Sequence, residues 1–231
     1  MKTIGLIGGM SWESTAIYYR LLNQKTKEVL GGHHSSKMIL TSVDFADIES
    51  LQRAGDWQAA AALLANEAKK LETAGADFIM IGTNTMHKVA SEVQAATSIP
   101  LLHIADATAQ QLKHDGIKHV GLLGTRFTMS QPFYKERLNE HGIEVSVPPE
   151  WHQDIVHEII YQELCQGKIS AQSRKQYLSV IDELQKQGIE AVILGCTEIG
   201  LLVQQKHTGI PLYDTTELHA NAAVELALKE Q

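Results

Sequence analysis

Short runs of Val, Ile, Leu and Met alternate with longer amphipathic stretches along the whole chain. The runs predict strands at 4–7, 38–43, 78–81, 101–103, 120–123, 145–147, 192–194 and 212–213. Most are apolar at every position, as strands covered on both faces should be. Apolar positions at helical spacing predict helices at 14–30, 56–73, 85–95, 105–114, 132–141, 153–166, 171–187 and 216–229. Gly75, Gly116, Gly142 and Gly188 stand where helix C-terminal glycines belong. Strand and helix alternate as βαβ units do, so the fold class expected is α/β with parallel sheets.

The pattern occurs twice. AGADFIMIGTNTM at 74–86 aligns with QGIEAVILGCTEI at 187–199, placing Gly75 on Gly188, Gly82 on Gly195, Thr83 on Cys196 and Asn84 on Thr197. KTIGLIGGM at 2–10 aligns with KHVGLLGTR at 118–126, and IPLLH at 99–103 with IPLYD at 210–214. Three matched segments in one order predict two pseudo-symmetric α/β domains, residues 1–103 with 214–231 and residues 104–213. The polar residues after Gly82 and Gly195 fall at the tips of parallel strands, where α/β sheets bind ligands. If the halves face each other, Thr83 and Cys196 enter one cleft from opposite sides.

Composition narrows the possibilities. An apolar content of 44% with 20% charged residues fits a globular protein, and a net charge of −7 argues against nucleic acid or an anionic membrane as partner. No apolar stretch approaches the roughly 20 residues that span a bilayer. The first residues run straight into a strand, leaving no room for a signal peptide, so a cytoplasmic setting is expected. Cys165 and Cys196 are too few for a disulfide framework, and none of the eleven histidines has metal-ligand spacing. Cys165 falls on a stripe with Ile155, Ile159 and Leu164, which predicts a packing thiol. Gly8-Gly9-Met10-Ser11 lacks the spacing of a nucleotide loop, although its N–H groups could meet an anion. Gln52 and Arg53 are expected in a polar loop after the second strand, from which either could reach an acid.

Cys196 precedes Thr197-Glu198, expected as the first residues of a helix. A thiol there should have its pKa lowered from about 8.5 towards neutrality, as suits a base for a carbon-bound proton. Asn84 and Thr85 supply donors for a carboxylate.

These residues resemble the cofactor-independent aspartate/glutamate racemases. The similarity rests on Gly8-Gly9-Met10 with Ser14-Thr15, Gly82-Thr83-Asn84-Thr85-Met86-His87, Gly124-Thr125 with Thr128-Met129, and Gly195-Cys196-Thr197-Glu198, in the family's order over nearly the whole chain. It implies two α/β domains with the active site between them, a homodimer, no pyridoxal phosphate or other cofactor, and a small amino-acid substrate. It places Cys196 on the second catalytic position and Thr83 on the first, where most members carry Cys. A hydroxyl is a far weaker acid than a thiol. The resemblance therefore implies an L-selective racemase of aspartate or glutamate: Cys196 takes the α-proton, Thr83 helps protonate the other face, and D→L turnover is slow. Asn84, Thr85 and Thr197 would hold the α-carboxylate and ammonium groups, and Thr125 is a further contact. Met10 would shape the floor, Glu198 assist Cys196 or meet the ammonium, and Gln52 or Arg53 recognise the side-chain carboxylate. The alternatives are an amino-acid sensor without turnover, or a cysteine isomerase or racemase acting on maleate, hydantoins or neutral amino acids.

Overall fold

The computed structural model describes residues 1–229; residues 230 and 231, included in the expected first domain, lie outside the described residues. The chain divides into two compact units, one comprising Met1–Ile104 with the segment from His219 onward, the other Ala105–Leu218.

The first unit runs β1 (Ile4–Gly8), α1 (Trp12–Leu30), β2 (Met38–Ser42), α2 (Phe45–Ala54), α3 (Trp57–Thr73) and β3 (Phe78–Ile81). A 3-10 turn at Thr85–Val89 then leads into α4 (Ala90–Ala95). Its sheet is parallel in the order β2-β1-β3, with Gly8 beside Ser42 and Ile7 beside Ile81. Side chains alternate across the pleat, and both faces are covered. Ile79 and Ile81 pack with Leu64 and Leu71 of α3, while Phe78 and Met80 pack with Tyr18 and Leu22 of α1 and with Val224.

The expected strand at 101–103 shrinks to a single parallel bridge between Leu101 and Ile79. Pro100 has no N–H to extend the ladder. Its carbonyl accepts from Ile79 at 2.9 Å. The Gln94 side chain takes the outward-facing groups, accepting from the Leu101 N–H at 2.7 Å and donating to the Ile99 carbonyl at 3.0 Å.

The second unit is built from α5 (Ile104–His114), β4 (His119–Gly124), α6 (Arg126–Ser130), α7 (Pro132–Glu140), β5 (Glu144–Ser146), α8 (Glu150–Gln162), α9 (Ala171–Gln185), β6 (Ala191–Gly195), α10 (Ile199–Leu202) and β7 (Leu212–Asp214). The last helix, α11 (Thr215–Leu228), begins in this unit and passes into the first at His219. The sheet is parallel in the order β5-β4-β6-β7. This repeats β2-β1-β3 and the Leu101 bridge element for element, so the duplication in the sequence is a duplication of topology. Gly75, Gly116, Gly142 and Gly188 all have positive φ, as helix-ending glycines should.

Two helices, α2 and α6, have no counterpart among the expected elements, and the helix expected from Thr197 starts only at Ile199, as α10. Helix α2 corrects the placement of Gln52 and Arg53, which lie on a helix and not in a loop. Asp44 caps its N-terminus through the Ala46 N–H, and Gly55 ends it in the left-handed region. Its buried residues are Ile48 and Gln52, so a polar amide fills the place where periodicity looks for an apolar side chain. Among the described residues no helix is long and apolar enough to cross a membrane.

Candidate active site

In the first unit the site begins with two strand tips joined by side-chain hydrogen bonds. After β1 the chain turns at Gly9, with φ of +88° and no room for a side chain: a Cβ there would lie 2.2 Å from the Val43 carbonyl oxygen. The Gly9 N–H donates to Thr15 Oγ1 at 2.7 Å, and the Thr15 hydroxyl donates to the Ser11 carbonyl at 2.9 Å. The Gly9 N–H, a candidate donor to an anion, is therefore engaged within the turn. Next to it, the Ser14 hydroxyl donates to the Gly82 carbonyl at 3.0 Å, fixing the backbone immediately before Thr83.

Thr83 is half-buried, and Asn84 and Thr85 are buried. Met10 is buried in the same core cluster as Ile48 and Met86. Gln52 is only 5% exposed and donates from Nε2 to the Met86 sulfur at 3.1 Å, which joins α2 to the turn that follows Thr83. Arg53 points the other way. Its side chain is 77% exposed and pairs with Glu49 one helical turn earlier. The structure thus gathers Met10 and Gln52 around Met86 and leaves Arg53 at the surface.

In the second unit Gly124 and Gly195 lie side by side at the ends of β4 and β6. A Cβ on Gly124 would stand 2.8 Å from the Gly195 carbonyl, and one on Gly195 would stand 2.9 Å from that of Leu123. The glycines let the strand ends close on each other just before Thr125 and Cys196. Thr125 caps α6, its Oγ1 accepting from the Thr128 N–H at 3.3 Å. The Thr215 hydroxyl donates to the Leu194 carbonyl at 3.0 Å, holding β6 from its other side.

Cys196, Thr197 and Glu198 converge on one oxygen. The Cys196 thiol donates to Glu198 Oε2 at 3.1 Å, and the Thr197 hydroxyl donates to the same atom at 2.5 Å. All three residues are buried. Burial pushes the Cys196 thiol well above its ordinary pKa, and the negative charge of Glu198 and the hydrogen bond to it push it further. This corrects the expectation of a thiol lowered towards neutrality. Helix α10 has only four residues and starts three positions after Cys196, so little helix dipole reaches the sulfur, whereas the carboxylate touches it.

Asp214 was not among the expected site residues. It ends β7 beside Leu194 and accepts from the N–H groups of Thr216 and Glu217, and burial raises its pKa to about 6. Its Oδ2 packs against α10, where a Cβ on Gly200 would fall 2.4 Å away. The only hint in the sequence was its alignment with His103 in the paired IPLLH and IPLYD segments. Cys165 is half-buried against the core of the second unit, in a 3-10 turn after α8. No group of three His, Cys, Asp or Glu among the described residues is placed to hold a metal ion.

The Asp/Glu/Hydantoin racemase family matches residues 7–223, nearly the whole chain. The chain belongs to this family. It is an enzyme of the isomerase class, of the racemase type. Among family relatives, the broad specificity amino-acid racemase RacX of Bacillus subtilis (strain 168) is 30% identical over 164 residues, 71% of this chain and 70% of that protein. A crystal structure from Yersinia pestis, described as a candidate Asp/Glu racemase, is 56% identical with a TM-score of 0.93, covering 99% of this chain and 100% of that one. The structure of an aspartate racemase homologue from Pyrococcus horikoshii OT3 is 35% identical with a TM-score of 0.87, at the same coverage.

Proposed function

We propose that this family member racemises L-aspartate or L-glutamate without a cofactor, using Cys196 on one face of the α-carbon and the Thr83 side on the other. The observation that carries the reading is the pair of equivalent strand tips, of which one bears a thiol hydrogen-bonded to a carboxylate and the other a hydroxyl. A buried thiol that rests protonated needs an acceptor before it can act as base. Glu198 supplies one: the S–H proton passes to Oε2, and the thiolate takes the α-proton of the L substrate. The carbanion is then protonated on its opposite face through the Thr83 hydroxyl, which regains a proton from water. Glu198 gives its proton back to solvent, so the enzyme ends as it began.

Asn84, Thr85, Thr125 and Thr197 serve as polar contacts to the α-carboxylate and ammonium groups, with Met10 beneath them. For the side-chain carboxylate the buried Gln52 is the better candidate, because Arg53 is at the surface and already paired. A neutral amide recognises an acid less exclusively than a guanidinium would. This leaves room for neutral amino acids as slower substrates. Family membership favours turnover over a sensor.

L and D enantiomers have equal free energies in water, so kcat/KM must be the same in both directions. The weakness of Thr83 as a base raises a barrier that both directions share, so a lower kcat for D than for L must be matched by a proportionally lower KM. Circular dichroism of the substrate during turnover tests this. Thr83→Cys should raise kcat for the D substrate, and Cys196→Ala should abolish turnover. A Thr83→Cys variant no faster than the wild type in either direction would contradict the assignment of Thr83. A homodimer completes the proposal, and sedimentation velocity checks it.

A further inference from the structure

The segment after Thr83 is a 3-10 turn, and that changes where the Thr83 carbonyl finds its partner. In an α-helix the His87 N–H would donate to Thr83, four residues back. Here it donates to Asn84, three residues back, at 3.1 Å. The Thr83 carbonyl is taken instead by the His87 ring, whose Nδ1 lies 2.8 Å away. The other ring nitrogen, Nε2, accepts the N–H of Ile104 at 3.2 Å. A carbonyl on one side and an N–H on the other fix a single tautomer, with the proton on Nδ1 and Nε2 bare. The ring is buried and has little room to swing. His103 lies edge-on with centroids 4.5 Å apart, and His219 lies on another side at 5.8 Å. His219 is itself held by Tyr18, whose hydroxyl is 2.9 Å from Nδ1, and by the Leu102 carbonyl, 2.9 Å from Nε2.

The Thr83 backbone is therefore pinned on both sides, by Ser14 on the Gly82 carbonyl and by His87 on its own. We propose that His87 is a positioning residue for reprotonation, its Nδ1–H holding the Thr83 carbonyl so that the Thr83 hydroxyl meets the α-carbon from a fixed direction. This rests on the proposed function. His87 touches no substrate, so its loss should damage one half of the reaction and spare the other.

The test uses the full-length protein in D₂O with L-glutamate and L-aspartate, measuring deuterium entry into the remaining L substrate and the formation of D product. Exchange into L reports Cys196 alone; inversion needs the Thr83 side as well. An asparagine at 87 can still offer an N–H near the position of Nδ1, whereas a glutamine reaches the Ile104 side instead. His87→Gln should lower the ratio of inversion to exchange by about tenfold or more, as expected when a reacting group is misplaced, and His87→Asn should largely restore it. A ratio unchanged in both variants, with the two rates falling together, would overturn the proposal. Nitrogen-15 NMR of the wild-type imidazole needs no variant to fold. It should show the proton on Nδ1, and a proton on Nε2 would overturn the proposal independently. If wild-type exchange does not depend on Cys196, the proposed function fails, and the role of His87 in reprotonation fails with it. The tautomer measurement separates that case from a failure of the hydrogen bond.

Discussion

Cys196 donates its thiol hydrogen to Glu198 Oε2 across 3.1 Å in a buried turn. The carboxylate has two opposing effects on the sulfur. Its charge disfavours a second negative charge and raises the thiol pKa, yet its oxygen is the acceptor through which the thiol can lose its proton.

Glu198→Gln should separate the two effects. Removing the charge brings the thiol pKa down, although burial still holds it above its ordinary value. The pH profile of iodoacetamide alkylation should therefore move to lower pH. Turnover should nevertheless fall by about 10²–10⁴, the usual loss when a positioned proton acceptor is removed. Faster alkylation with slower racemisation is the expected combination. Loss of both would point to a collapsed turn.

His219 makes stability depend on pH. Burial, with His87 nearby, depresses its pKa to about 3. The unfolded residue titrates near the ordinary histidine value of about 6.5. In the window between the two values the unfolded chain binds a proton that the folded chain does not. The contribution is present above the unfolded pKa and is lost as pH falls through this window, with a slope of up to about 1.4 kcal/mol per pH unit. Urea denaturation at pH 7 and pH 5 should show the loss. His219→Gln, with no titrating group, should flatten the slope whatever its stability at pH 7.

Substrate choice should follow Gln52 and not Arg53. The Arg53–Glu49 pair is exposed, and such pairs contribute only about 0–1 kcal/mol, so Arg53→Ala should change kcat/KM by less than about twofold. Gln52→Leu should reduce kcat/KM for acidic substrates and leave neutral ones less affected. Steady-state kinetics on glutamate, aspartate and a neutral amino acid checks this. The reverse ranking of the two variants would return the role to Arg53.

Periodicity and glycine carried the architecture. Strands that are apolar at every position are visible without a fold, and Gly82 and Gly195 mark both tips, where a Cβ would crowd the neighbouring strand's carbonyl at 3.1 Å (Ile7) and 2.9 Å (Leu123). Helix α2 was illegible because Gln52 occupies one of its core positions, and the single bridge at Leu101 because Gln94, seven residues earlier, caps it. The Cys196 thiol misled for a local reason: the sequence shows a helix-like CTE segment, but not that the turn carries the Glu198 oxygen onto the sulfur. Asp214 at the end of β7 and Thr215 at the start of α11 support α10 and β6, a relation no linear motif records.

In the proposed reaction Cys196 removes the α-proton. Incubating the protein with L-glutamate or L-aspartate in D₂O and following the α-hydrogen by proton NMR tests it directly. Deuterium should enter the L substrate with the wild type, and none above background should enter with Cys196→Ala. Exchange that survives in Cys196→Ala, or none in the wild type with either amino acid, would contradict it.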